Sequence, residues 1–110
     1  MNNEINMLVQ KFSSEIQELF TNVREIIIEC TSKKVEEKLW ARIPSYYVVD
    51  NFIRIIPFKD HINIEAAAIS RYKLQLEQYK ITPKGMLQIY VNQNIPYSVL
   101  KMAFAETLST

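Results

Sequence analysis

From Ile5 to Cys30 the apolar residues fall at positions 5, 8, 9, 12, 16, 19, 20, 23, 26, 27 and 30, the steps of three and four that mark one face of a helix. Ser13 and Ser14 interrupt the run. Ser14-Glu-Ile-Gln17 reads as a capping box, in which a serine oxygen and a glutamine amide satisfy backbone groups a helix start leaves unpaired. The spacing therefore predicts a helix over 3–12 and a second over 15–31, closed by the polar Thr31-Ser-Lys-Lys34 stretch. Between Lys38 and Ala66 the pattern changes to β-branched and aromatic runs broken at Pro44, Asp50-Asn51 and Lys59-Asp60. Strands are expected over 38–43, 46–49, 52–57 and 61–66. A third helix is expected over about 70–79, with Tyr72, Leu76 and Tyr79 on one side and an end before Pro83. A last strand follows over 86–91, and Pro96 opens a final helix with a stripe of Val99, Leu100, Ala103, Phe104 and Leu108.

Helices at both ends of a run of strands predict an α+β domain, an antiparallel sheet with helices packed on one face and the other face partly open. A period of two points Leu39, Ala41, Ile43, Ile53, Ile55, Ile62, Ile64, Leu87, Ile89 and Val91 toward the helices. Lys38, Trp40, Arg42, Arg54, His61, Asn63, Gln88 and Tyr90 then point away from them.

At 110 residues the chain is the size of one domain, and 48% apolar residues supply a core. Thirteen Lys and Arg against twelve Asp and Glu give a net charge of +1, too little to draw the whole molecule onto nucleic acid or an anionic membrane. The single Gly85 excludes glycine-rich phosphate loops and dinucleotide fingerprints. One cysteine and one histidine exclude an internal disulfide and a closed Cys/His zinc site. The opening Met1-Asn-Asn-Glu lacks the features of a signal peptide, and no apolar run approaches the ~20 residues of a membrane span. A cytoplasmic protein with no membrane role is the expectation.

Four segments fall in an order and spacing found in a known family: Trp40-Ala-Arg-Ile-Pro44, Pro57-Phe-Lys-Asp-His61-Ile, Tyr79-Lys-Ile-Thr-Pro-Lys-Gly85 and Asn94-Ile-Pro96. Over roughly residues 36–105 the chain resembles the YdhG-like proteins, small bacterial domains with a frataxin-like fold. Arg42 or Ile43, and Asp50-Asn51, stand where that family has glycines. The resemblance implies the fold, and by analogy with frataxin it implies intracellular iron handling without a tightly bound cofactor.

Two sets of side chains are candidates for function. The leading expectation is an intracellular carrier that binds iron or a like divalent cation and hands it to a partner docked on the sheet. The alternative is an interaction or small-ligand module with no metal role. On the second helix Glu15, Glu18, Glu25 and Glu29 lie within an arc of roughly 80°, with Asn22 among them. Carboxylates are hard ligands suited to weak, releasable binding of ferrous or similar divalent ions. The same stripe is also what the solvated edge of an amphipathic helix looks like, and Glu15 and Glu18 complement the helix dipole. Glu25 and Glu29 fit that edge less well, as a like-charge pair four residues apart. Glu36 and Glu37 would extend the stripe, among Lys33, Lys34 and Lys38. The second set is the open sheet face, where Trp40, Arg42, Arg54 and His61, with Tyr46 or Tyr47 nearby, offer the residue types that anchor protein interfaces. That face would dock a protein partner or small ligand, or lie in a homodimer contact or under the chain's own loops. Balanced charge and the lack of a ribonucleoprotein aromatic motif argue against nucleic acid. His61 has no evident Ser, Cys or Asp partner for catalysis, and Cys30 lies on the apolar face of its helix, so no enzyme is expected.

Overall fold

The computed structural model describes residues 1–109. Its elements are α1 (Asn3–Val9), α2 (Ser14–Glu29), β1 (Glu36–Trp40), β2 (Ile43–Val48), β3 (Asn51–Pro57), β4 (His61–Ala66), a 3-10 segment (Ala67–Tyr72), β5 (Lys80–Ile81), β6 (Leu87–Tyr90) and α3 (Tyr97–Leu108). The strands form one six-stranded antiparallel sheet in the order β1-β2-β3-β4-β6-β5. The fold is α+β, an open antiparallel sheet with helices packed against it.

Register and burial show which face carries the core. Tyr46↔Ile53↔Ala66 and Ile55↔Ile64↔Leu87 are cross-strand rows of buried residues, and Ile62 pairs with Ile89. These side chains join Ile5 and Val9 of α1, Leu19, Phe20, Val23, Ile26 and Ile27 of α2, and Leu100, Phe104 and Leu108 of α3 in a single cluster. Each largely buried aliphatic or aromatic side chain contributes about 1.5–3 kcal/mol, so this one layer dominates stability. The inward set expected from the period of two holds for Leu39, Ile53, Ile55, Ile62, Ile64, Leu87 and Ile89.

Several local expectations are corrected. The cap of α2 is Ser13, whose Oγ accepts from Ile16 N at 3.2 Å, and Gln17 reaches back to donate to Phe12 O at 2.9 Å. The strand expected over 38–43 instead ends at Trp40, turns through Ala41-Arg42 and resumes at Ile43. Both turn residues have positive φ, 48° and 65°, as a two-residue hairpin turn matching strand twist requires. Pro44 does not break β2, because it pairs with Leu39 beyond the last β2–β3 pair, Ser45↔Arg54. The turn resets the alternation: Ala41 is exposed, and Ile43, opposite Trp40, faces away from the helices. Val91 lies past the end of β6 and is exposed. Residues 70–79 are not a helix. The 3-10 segment ends at Tyr72, turns follow, and only Leu76 of that stretch is fully buried, so one apolar anchor replaces an apolar face. No helix is long and apolar enough to cross a membrane among the described residues.

Candidate functional site: the open face of the sheet

The face turned away from the helices is read directly from the register. Across it run Glu36↔Tyr47↔Phe52, Lys38↔Ser45↔Arg54↔Glu65, Ile56↔Asn63↔Gln88 and His61↔Tyr90, with Trp40↔Ile43 at the β1–β2 end. No helix covers these side chains, so they cover one another. Trp40 remains 51% exposed, whereas Arg54 is only 6% exposed although it lies on the uncovered face.

Arg54 organises the β1–β3 half of this face. Its guanidinium carbon lies 3.8 Å from the Phe52 ring centroid and 4.0 Å from that of Trp40, within the range where a cation is attracted to the ring quadrupole. Nε donates to Ser45 Oγ at 3.2 Å, Nη2 to Tyr47 Oη at 3.1 Å and Nη1 to Glu65 Oε1 at 3.5 Å. Four strands thus supply Trp40, Ser45 and Tyr47, Phe52 and Arg54, and Glu65 to one constellation. A buried cation without partners would be costly, and here rings, hydroxyls and a carboxylate compensate it. The result is an ordered aromatic surface fixed from beneath by a charge that a partner would scarcely meet.

The remaining expected face residues separate. His61 is stacked on Phe58, with centroids 4.6 Å apart and planes at 11°, and tilts against Tyr90 at 4.8 Å. Its Nδ1 lies 2.8 Å from Asp60 Oδ1. This second aromatic group lies on the same face at the β4–β6 end. Arg42 stands in the β1–β2 turn and is exposed. Tyr47 is on the open face and Tyr46 is in the core, where burial and then the Glu37 carboxylate push its phenol pKa far up. The structure therefore joins Trp40 with Arg54 and leaves Arg42 and His61 outside that constellation. Ser45, Tyr47, Phe52 and Glu65 complete it. Their signal in the sequence is alternation alone: 45 and 47, 52 and 54 share a face once the turn at 41–42 is placed.

Glu15, Glu18, Glu25 and Glu29 are all exposed along α2. Fourteen residues of helix separate the first from the last by about 21 Å, so only neighbouring pairs can meet one ion. Among the described residues no group of three or more His, Cys, Asp and Glu side chains is gathered as a metal site would need. The stripe borders a groove against the 91–96 loop and the start of α3. One cavity of about 250 Å3 there lies between Glu25, Glu29, Ile95 and Tyr97, and another of about 190 Å3 beside Glu15 and Glu18. Tyr97 Oη donates to Glu29 Oε2 at 2.9 Å, and that bond holds the phenol above its ordinary pKa. Glu37 does not extend the stripe. It accepts from Arg24 Nε at 2.6 Å and from Asn2 N at 2.8 Å, tying α2 and the start of α1 to β1. Burial alone would raise the Glu37 pKa, but these bonds outweigh it and hold the carboxyl below its ordinary value.

A separate cavity of about 340 Å3 opens near Asp50, Phe52, Glu65, Ser70 and Lys84. His61 lines none of these cavities. Cys30 is half-buried, and desolvation raises its pKa, so at neutral pH it is a thiol rather than a nucleophilic thiolate. Compared with known proteins, the chain matches no family model, no curated protein and no solved structure.

Proposed function

We propose that the chain is a non-enzymatic protein-interaction module that works through the open face of its sheet. The observation that carries this reading is the Arg54 constellation. It holds the Trp40 and Phe52 rings in fixed positions on a surface no helix covers, and large rings already ordered lose little entropy when a partner arrives. Trp and Tyr there present wide apolar area with a polar edge, the composition from which interface hot spots are made.

The resemblance to YdhG-like, frataxin-like domains goes with iron handling in the bacterial cytoplasm, and the helical spacing of Glu15, Glu18, Glu25 and Glu29 offers the carboxylates for a divalent-cation carrier. The geometry favours the sheet face over that stripe, because the four carboxylates are spread along the helix. The module reading is tested by placing a photoreactive phenylalanine analogue at position 43, on the open face, or at position 102, exposed on α3, in cells that make the protein. Adducts through 43 and not through 102 are expected. Equal adducts at both positions, or none at 43, would overturn the reading.

A further inference from the structure

We infer that the occupant of the open face is a second copy of this chain. The inference rests on the module reading and adds the identity of the partner.

Charge is the first argument. The charged side chains within the β1–β4 part of this face are paired inside the protein: Lys38 Nζ lies 3.3 Å from Glu36 Oε1, and Arg54 Nη1 3.5 Å from Glu65 Oε1. The exposed cations Arg42, in the β1–β2 turn, and Lys80, at the β5 edge of the same face, lie outside this central part. A strongly charged partner would therefore find no free opposite charge in the centre of the face, whereas a neutral, apolar surface would match it. A second copy presents such a face. Two such centres, each with its charges paired, meet without the like-charge repulsion that a centre of one sign would suffer on a twofold axis.

Area is the second argument. Strands about 4.8 Å apart, with about six residues at 3.3 Å each, give five of these strands a plan area of roughly 480 Å2. Two such faces would bury about 960 Å2 in all, in the range of weak and transient contacts, so a modest affinity is expected rather than an obligate dimer. The chemistry agrees with such a contact, since Trp40, Ile43, Tyr47, Phe52 and Ile56 lie on the face and sheets pack face to face through such layers. The molecule measures 34 × 32 × 23 Å, its short dimension matching one helical layer on one sheet, each about 10 Å thick. A second copy would complete a four-layer particle with both sheets inside.

The test is sedimentation velocity of the full chain from about 1 µM to about 1 mM, on the native sequence and on Ile43→Lys and Trp40→Lys. Ile43 takes no part in the Arg54 constellation, so its substitution reads the contact even if Trp40→Lys disturbs the face; circular dichroism checks that each variant is folded. A monomer–dimer equilibrium with Kd near 10 µM, weakened at least tenfold by Ile43→Lys, is expected. A monomer at every concentration overturns the second copy. If the cross-linker at position 43 then captures a different protein, the module reading survives without it. A dimer that both substitutions leave intact overturns the inference too, by placing the contact elsewhere.

Discussion

The open sheet face and the outer face of α2 both carry charge, and they treat it in opposite ways. On the sheet, Arg54 is nearly enclosed, and its Nε, Nη1 and Nη2 each donate to a neighbouring side chain. On α2, Glu15, Glu18, Glu25 and Glu29 stand in solvent, and among the described residues their one side-chain hydrogen bond is the one Glu29 accepts from Tyr97. Exposed charges gain little from geometry, because water screens them and their side chains stay mobile. A buried cation among three rings fixes the shape of everything around it. The difference separates a surface that is ordered before anything binds from one that is only negative.

The comparison breaks most visibly at Arg54. Arg54→Ala removes contacts with the Trp40, Tyr47 and Phe52 rings and leaves Ser45, fully buried, without its guanidinium partner, and should cost about 2–4 kcal/mol in chemical denaturation. A loss under 1 kcal/mol would show that the rings hold themselves. Glu37→Gln comes next, at about 1–2 kcal/mol, since it weakens the charged pair with Arg24. The same pair sets an acid limb. A carboxyl whose pKa is lower in the folded state binds protons more readily when unfolded, so its contribution is fully present above its ordinary value of 4.5 and is lost as pH falls through the lower folded value. Native protein should therefore lose stability below about pH 4.5 more steeply than Glu37→Gln, as read from denaturation midpoints; parallel curves would contradict the assignment.

Smaller effects sharpen the same contrast. Val49, 78% exposed with φ 57° in the β2–β3 turn, is a β-branched residue in the left-handed region, and Val49→Asn should stabilise by about 0.5–1 kcal/mol. Glu25→Gln with Glu29→Gln should change stability by no more than about 0.5 kcal/mol and leave self-association unchanged. If that double variant lost the dimer, α2 rather than the sheet would be the contact.

The first two helices, the last helix, β3, β4, β6 and their inward isoleucines were legible because two strong periods run through long segments, whereas the two-residue β5 and the turns over 73–78 carry no period. Residues 53, 55, 62 and 64 alternate without interruption, so their shared face follows from register alone. The β1–β2 hairpin was not legible. Its turn uses Ala41 and Arg42 at positive φ where glycine or asparagine would have announced it, and Pro44 drew the boundary to the wrong place. Misplacing that turn by a few residues put Ile43 on the wrong face and Arg42 in the wrong company. Trp40 and Arg54 were still placed on the open face, but their meeting needs β1 and β3 held on either side of β2, and no spacing along the chain states that. The stripe on α2 was legible as a stripe, because helical geometry is local; what its carboxylates bind is not encoded in their spacing.

The most direct test uses Trp40 itself, the sole tryptophan, half-exposed on the face in question. Acrylamide quenching of its fluorescence, followed from about 1 µM to about 1 mM chain, reports whether that face is open to solvent. The account predicts that quenching falls and emission shifts to the blue as concentration rises, with Ile43→Lys abolishing both changes. Quenching that stays constant across the whole range in the native protein would contradict it.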